Sequence, residues 1–583
     1  MCGIIGYKGS KKDVIIEGLK KLEYRGYDSW GVASVSNGRI DLTKKVGKIG
    51  AARKVSNTAL AIGHTRWATH GGVTEDNAHP QLSNNKKIAV IHNGIVENYQ
   101  ELRDMLKTHA YTFYSQTDTE VIPNLIQFYM EAEKLDFEEA TKRTLARLEG
   151  RYAIVAVYAG SDVLIGARKG SPLVLGYGDN EYFIASDIPA FLDHAKKVSY
   201  LEDEDMVVIK AKPEIFNLRQ GFYVQRPIDE ITWSAEQIQK GNFDHYMIKE
   251  IMEQAETIQM AADTNKEKIK EIAREIKAAK KVIFVACGTA YHATRVAKYV
   301  FSKVANRNVS AIFAHELPQF KDVIDDKTLI VAVSQSGETA DTLEVVKEAK
   351  EKNAKVVSIT NVVGSTLARE SQDTVPLNIG PEICVASTKA YTAQLAIITL
   401  LAYTLAGKFD EGQRLVKDMK RMVYYLTAKS RRDHVKGLAE KLKDTKSMFL
   451  LGRGLQYPTA LEAALKIKEI SYIHAEGLAG GELKHGSIAL VEKGFPVVIF
   501  TSDDTEKDIL SNASEVKARG AFVIGVGPKN NEIFDYFIKV EDAGMLNPIL
   551  QIIPMQILAY ELAVLKDLDP DKPRNLAKSV TVK

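Results

Sequence analysis

Cysteine is scarce in this chain: three among 583 residues, Cys2, Cys287 and Cys384. An odd count with no CxxC pair provides neither a disulfide framework nor a thiolate zinc site, and a reducing cytosol is the expected setting. Net charge is small as well. Lys plus Arg total 78 against 75 Asp plus Glu, so no global basic field recruits nucleic acid or an anionic membrane, and any anionic ligand has to be held locally. Residues 1–30 lack a basic segment followed by an apolar one, and no uninterrupted apolar run approaches a bilayer span; a soluble, cytoplasmic protein is expected. Neither GxxxxGK[ST] nor GxGxxG occurs, which argues against a nucleotide, and no cofactor is expected.

What is present divides the chain. At roughly 100–200 residues per domain, this length predicts three or four domains. Residues 1–220 read as mixed strand and helix, with strands at Lys87–Ile91 and Tyr152–Tyr158 and helices at Thr119–Met130 and Phe137–Leu148, the latter ending on Gly150 as a C-cap. Residues 221–243 are polar, broken by Pro227 and Gly241, and read as a linker. Beyond it, apolar strands alternate with helices as in a doubly wound parallel sheet, and the pattern is duplicated. Val282–Gly288 resembles Ser447–Gly452, and Leu329–Ser334 resembles Pro496–Thr501, at offsets of 164 and 167 residues. Two α/β domains of one kind follow, at 244–425 and 426–570, with a tail at 571–583.

The most informative feature is Cys2. Removal of Met1 would leave one residue carrying a thiol and an α-amine that both titrate close to neutrality, a nucleophile with its own base. Three clusters could converge on it. His64-Thr65-Arg66-Trp67-Ala68-Thr69-His70 supplies a guanidinium for a carboxylate. Asn93-Gly94 makes a workable oxyanion hole. Asp118, in Ser115–Glu120, could hold an α-ammonium. Taken singly, Arg66 reads equally as a surface ion pair, Asn93-Gly94 as a turn and Asp118 as a helix cap. The imidazoles His64, His70, His79 and His92 invite a metal, but no HExxH or paired CxxC spacing accompanies them and none is expected.

These blocks, with Cys2-Gly3-Ile4 and Leu22–Ser29, resemble the class II glutamine amidotransferase domain, an N-terminal-nucleophile hydrolase with an αββα fold. The resemblance implies that Cys2 releases ammonia from glutamine through a thioester, with Asn93 and Gly94 holding the oxyanion. It also implies that Arg66, Thr69, His70, Gly94 and Asp118 fix the glutamine and that Trp67 gates ammonia passage.

In the second half, Ser334-Gln335-Ser336-Gly337-Glu338-Thr339 stands where a strand ends and a helix begins. Its hydroxyls and first-turn N–H groups suit the phosphate of a small metabolite, or form an ordinary Ser/Thr cap. Aligning Ser334 with Thr501 sets Asp503 opposite Ser336, where a carboxylate repels phosphate, so only the first copy should bind it. Glu462, Lys466 and Glu469 share one helix face, which a solvated ion-pair ladder would also explain. His485 lies in a Gly-rich loop, and the tail Pro573–Val582 is apolar enough to dock, bringing Lys578 as an amine for a carbonyl.

These segments, with Val385–Lys389 and Arg574–Val582, resemble the sugar isomerase domain pair of the glutamine:fructose-6-phosphate aminotransferases. The resemblance implies that Thr289, Ser334, Gln335, Ser336, Thr339, Val385 and Ser387 bind sugar phosphate. Lys578 would form the ketose imine, Glu469 move a proton between C1 and C2, His485 assist ring opening and Lys466 add a charge to the site. It implies glutamine and fructose 6-phosphate as substrates, and a homodimer in which the histidine loop reaches a neighbouring subunit. Ala290 stands where the family usually has Ser, and Cys384 where it has a small Gly. A phosphoribosyltransferase or an asparagine synthetase would continue from Cys2 into an acidic pyrophosphate loop or an ATP loop, and neither is found. A sugar-phosphate sensor would need no amine, acid and imidazole together.

Overall fold

The computed structural model describes residues 2–11, 13–50, 59–68, 70–231, 239–263, 265–362 and 364–581. The chain divides into two compact units, Met1–Gln239 with Ala577–Lys583, and Lys240–Leu576.

Period-two alternation builds the first unit. In the strand Ile88–Val96, Ile88 and Val90 face one core cluster while Ala89 and Ile91 face another. Gly150–Tyr158 and Asp205–Ile209 divide their residues the same way. Strands apolar on both faces have to be covered on both. One cluster is closed by the helices Tyr99–Thr108, Val121–Ala132 and Phe137–Leu145. The other lies between this seven-stranded sheet and an eight-stranded one, whose far side carries the helix Val14–Leu22, with Ile15 and Leu19 against Gly63. The layers are therefore helix, sheet, sheet, helix.

Local readings need correction here. The helix from Phe137 stops at Leu145, and Gly150, with φ +105°, opens the next strand instead of capping a helix. Asp118–Glu120 is a 3₁₀ turn ahead of the helix Val121–Ala132. Within the segment read as a linker, Phe222–Val224 pairs with Pro213–Asn217, and Asp229–Glu230 with Lys197–Tyr200. These residues belong to the two sheets.

The second unit holds two five-stranded parallel sheets. In each, with strands numbered along the chain, the spatial order is second, first, third, fourth, fifth. Lys281–Ala286 and Thr328–Ser334 are the first and third strands of one sheet, Ser447–Gly452 and Pro496–Phe500 those of the other. Each duplicated segment thus falls on the corresponding strand of its copy. Inner faces of both sheets share one core with the helices Lys389–Leu405 and Asn547–Leu565, and the outer faces are buried in separate clusters. Gly544–Leu565 is long and apolar enough on average to cross a membrane, although Gln551, Gln556 and Glu561 interrupt its apolar run, and 83% of its most apolar stretch is buried within the unit. A helix apolar all round is what a core position demands.

Candidate functional sites

Pairing geometry delivers Cys2 to its neighbours. The strand Gly3–Lys8 runs antiparallel to Leu60–Arg66 with Gly3 opposite Thr65, so Cys2 emerges beside Trp67. The Trp67 N–H donates to Cys2 Sγ at 3.2 Å. Burial pushes the thiol pKa up, with the Trp67 N–H and the Arg66 charge pulling the other way. Cys2, Arg66, Trp67, His70, Asn93, Gly94 and Asp118 line one pocket. Met1 and Thr69 lie outside the described residues.

Asn93-Gly94 is not a turn. The strand continues to Val96, and Gly94 takes φ +115° with Arg151 O placed 2.0 Å from where a Cβ would stand, a position only glycine fills. Asn93 Nδ2 donates to Cys2 O at 2.8 Å, and its Oδ1 faces His64 Nε2 at 3.1 Å. His64 Nε2 also faces His92 O at 3.1 Å, so two acceptors require the Nε2–H tautomer, which fixes the amide with its donor end toward Cys2. Asp118 caps no helix; its Oδ2 accepts the Val96 N–H at 2.8 Å. Nor is Arg66 a surface residue. It is 3% exposed and donates to the carbonyls of His70, Gly71 and Gly72, fixing the loop that carries His70.

On one wall of the pocket, Thr119 Oγ1 bridges His79 Nε2 and His92 Nδ1, each at 2.8 Å, and the His64 ring lies tilted against His79 with centroids 4.3 Å apart. Burial lowers the pKa of His64 to about 3 and takes His79 and His92 below their ordinary values. Burial thus favours the neutral form of all three. Among the described residues no three His, Cys, Asp or Glu side chains are grouped to hold a metal. Thr117, Thr119 and His92, which fall within the clusters read as converging on Cys2, also line the pocket, as do His79 and Thr581, which sequence reasoning did not place there; for His79 the density of histidines in 64–92 was the available signal.

In the second unit the functional groups gather where strand order reverses, the crevice in which open parallel sheets bind ligands. Ser334 ends the third strand and Thr289 lies in the first turn of the helix Gly288–Ala305, which follows the first strand. Ser334 Oγ pairs with Thr339 Oγ1 at 3.0 Å and accepts the Gly337 N–H at 3.1 Å, while Ser336 Oγ accepts the Glu338 N–H at 3.2 Å. Gly337 has φ +66°, and a Cβ there would stand 2.0 Å from Ser365 Oγ, so the loop closes only around glycine. Gln335 O accepts from Asn361 N, Val385 N donates to Asp571 O, and Ser387 Oγ donates to Glu382 Oε2 at 3.0 Å. In the second copy the equivalent loop carries Asp503 and Asp504, with Asp503 N donating to Asp542, an acidic strand end.

Glu462, Lys466 and Glu469 do not form a solvated ladder. The Glu462 and Lys466 side chains are 0% and 1% exposed, on the helix Gln456–Ser471. Lys466 Nζ reaches Glu469 Oε1, Glu462 Oε1 at 3.4 Å and, from the first copy, Thr289 Oγ1 at 3.0 Å. Burial works against the ammonium, but the two carboxylates outweigh it and raise its pKa above the ordinary lysine value. Thr289 Oγ1 donates to Glu462 Oε1 at 3.1 Å.

The family models match the same regions: a glutamine amidotransferase domain over residues 64–193 and the SIS domain over 275–404 and 441–566. The chain is 45% identical to the glutamine–fructose-6-phosphate aminotransferases (isomerizing) of Thermococcus kodakarensis and Pyrococcus horikoshii, in each case over 100% of both chains. The chain belongs to this aminotransferase family. Among solved structures, the C-terminal domain of the glucosamine-fructose-6-phosphate aminotransferase from Francisella tularensis superimposes with a TM-score of 0.52 at 36% identity, covering 57% of this chain and 99% of that one.

His485 is exposed, on the 3₁₀ turn Leu483–His485, and among the described residues no hydrogen bond joins it to Glu469. Lys578 is half-buried in the tail that groups with the first unit. Of the two departures from the family pattern, Ala290 packs against the central core of the second unit. Cys384 is wholly buried there, its thiol donating to Pro570 O at 3.4 Å. Trp30 is a core residue opposite Thr65.

Proposed function

We propose that this chain makes glucosamine 6-phosphate and glutamate from fructose 6-phosphate and glutamine, passing ammonia from a glutaminase site to an isomerase site. The observation that carries the reading is the Thr289–Glu462–Lys466–Glu469 cluster at the switch point of a parallel sheet, in a chain that also pockets Cys2 beside an oriented Asn93 amide.

In the first site, Cys2, freed of Met1, attacks the glutamine side-chain carbonyl with its own α-amine as base. Asn93 Nδ2 and the Gly94 N–H stabilise the oxyanion. Collapse expels ammonia, and water hydrolyses the thioester to glutamate. Asp118 holds the substrate ammonium; Arg66 keeps the 70–72 loop in place and, with Thr69 and His70, frames the carboxylate end. Trp67 gates the exit of ammonia.

In the second, Ser334, Gln335, Ser336, Thr339 and Ser387, with Thr289 and Val385, hold the sugar phosphate, the loop hydroxyls exchanging their mutual bonds for bonds to phosphate. His485 assists ring opening. Lys578 forms an imine at C2 with loss of water, and ammonia displaces the lysine. Glu469 takes the C1 proton and returns it to C2, leaving an amine at C2 and an aldehyde at C1. Lys466 keeps Glu469 ionised for that task. The working form is a cytoplasmic homodimer, and the exposure of His485 suits a residue that serves a neighbouring copy.

Incubation with amide-¹⁵N glutamine and fructose 6-phosphate tests the reading: ¹⁵N is expected at C2 of the amino sugar in a one-to-one ratio with glutamate. Glutamate without amino sugar, or glucose 6-phosphate as the only sugar product, would overturn it.

A further inference from the structure

A histidine that no step above uses lies against the proton-transfer cluster. His292 follows Thr289 by three residues on the helix Gly288–Ala305, so both side chains leave the same face. Its Nδ1 lies 2.7 Å from Glu462 Oε2, the opposite oxygen from the one that takes Thr289 and Lys466. Glu462 is fully buried, and a carboxylate there needs donors on both oxygens. The other groups facing it are Lys466 and Glu469 on its own helix and the Tyr391 ring on Lys389–Leu405, whose hydroxyl pKa is raised first by burial and then by Glu462. Arg295, the next cation on the His292 helix, lies over the Tyr457 ring at 4.9 Å.

We propose that His292 is a positioning residue of the amino-sugar reaction: by donating to Glu462 it leaves Lys466 free to pair with Glu469, and so sets the pH range over which Glu469 accepts the C1 proton. One ammonium serves two carboxylates, and what holds the first decides how much of the cation remains for the second. Without the imidazole, Glu462 Oε2 loses its donor and draws Lys466 toward itself. Glu469 then loses its cation, and its protonated form persists to higher pH. An amide at 292 would keep a donor near the Nδ1 position but bring no titratable ring.

This inference rests on the proposed function, and the experiment separates the two. The rate of glucosamine 6-phosphate formation from saturating glutamine and fructose 6-phosphate is measured against pH for the wild type, His292→Ala and His292→Asn. The urea midpoint by circular dichroism of the same samples shows that each chain is folded. Wild-type protein that forms no amino sugar would refute the functional reading itself. With that activity present, His292→Ala is expected to lower kcat about tenfold at neutral pH, with KM for fructose 6-phosphate within about twofold and the acid limb displaced upward by about one pH unit. His292→Asn is expected to return most of the rate and the position of that limb. An unshifted acid limb in His292→Ala, an effect confined to KM, or no recovery in His292→Asn would each overturn the proposal. So would additive losses in the His292→Ala/Glu462→Gln pair, because residues acting through one contact are non-additive.

Discussion

The two candidate sites bury ionisable groups by opposite means. Around Cys2, burial prevails: the pKa values of His64, His79 and His92 are lowered and that of the thiol is raised, each toward its uncharged form. Around Glu469, pairing prevails: Lys466 stays charged against burial because two carboxylates flank it. The first arrangement is a shell of fixed dipoles suited to an anion that exists only during reaction. The second keeps charge resident, which suits the proton transfer proposed for Glu469. Both lie in folds of ordinary topology, so the chemistry is set by how each side chain is desolvated and not by the fold class.

The contrast can be broken most decisively at the proposed nucleophile. Cys2→Ala is expected to abolish glutamine-dependent amino-sugar formation by about 10⁴-fold or more while fructose 6-phosphate to glucose 6-phosphate isomerisation persists; loss of both activities in a folded chain would show that the sites are not chemically separate. Next comes the resident charge. Lys466→Met leaves two carboxylates without their cation and is expected to destabilise the second unit by about 3–5 kcal/mol, read as a lower urea midpoint by circular dichroism.

A smaller effect separates the units by pH. For the three imidazoles the folded pKa lies below the unfolded one, at about 3 for His64, so the unfolded chain binds more protons as pH falls below about 6.5 and stability falls with it. Trp30 and Trp67 both lie in the first unit, so their fluorescence follows its unfolding. Its melting temperature should drop by several degrees between pH 6.5 and 5, at about 2–4 °C per kcal/mol, and less in His64→Gln. Lys466, with its pKa raised, contributes stability that is intact below the unfolded lysine value and is lost only as pH rises through the folded one. It adds no acid sensitivity in that range. The smallest effect is expected at the Asp503–Lys529 pair, 2.9 Å apart with both side chains more than half exposed: Asp503→Ala should leave the melting temperature and the sugar reaction unchanged.

The legible parts of the sequence were those in which period and order carry the information. Duplicated apolar segments gave two parallel sheets, because a buried strand has to be apolar along its length and its copy inherits that need. The blocks around Cys2, Arg66, Asn93 and Asp118 pointed to one pocket because their residue types answer one substrate. Interior detail was not legible. Asn93-Gly94 reads as a turn in one dimension, and only the neighbouring strand, with Arg151 O against Gly94, shows a left-handed residue inside a sheet. Arg66 looks like a solvent-facing charge until the carbonyls of residues 70–72 are folded over it. Asn547–Leu565 carries no amphipathic stripe because from Asn547 to Tyr560 it is enclosed on every side. Gly150 was assigned to the wrong neighbour, since a left-handed glycine can end a helix or begin a strand and the sequence does not distinguish them.

The helix bearing Glu462, Lys466 and Glu469 and the helix bearing Thr289 and His292 each follow the first strand of their own sheet, so they are equivalents within the repeat. Their meeting gives the two halves separate duties. One keeps the hydroxyl-rich loop, the other supplies acid and ammonium, and neither copy alone contains a whole set. Duplication freed each half from having to be complete, which is why the second could let its own loop turn acidic without harm.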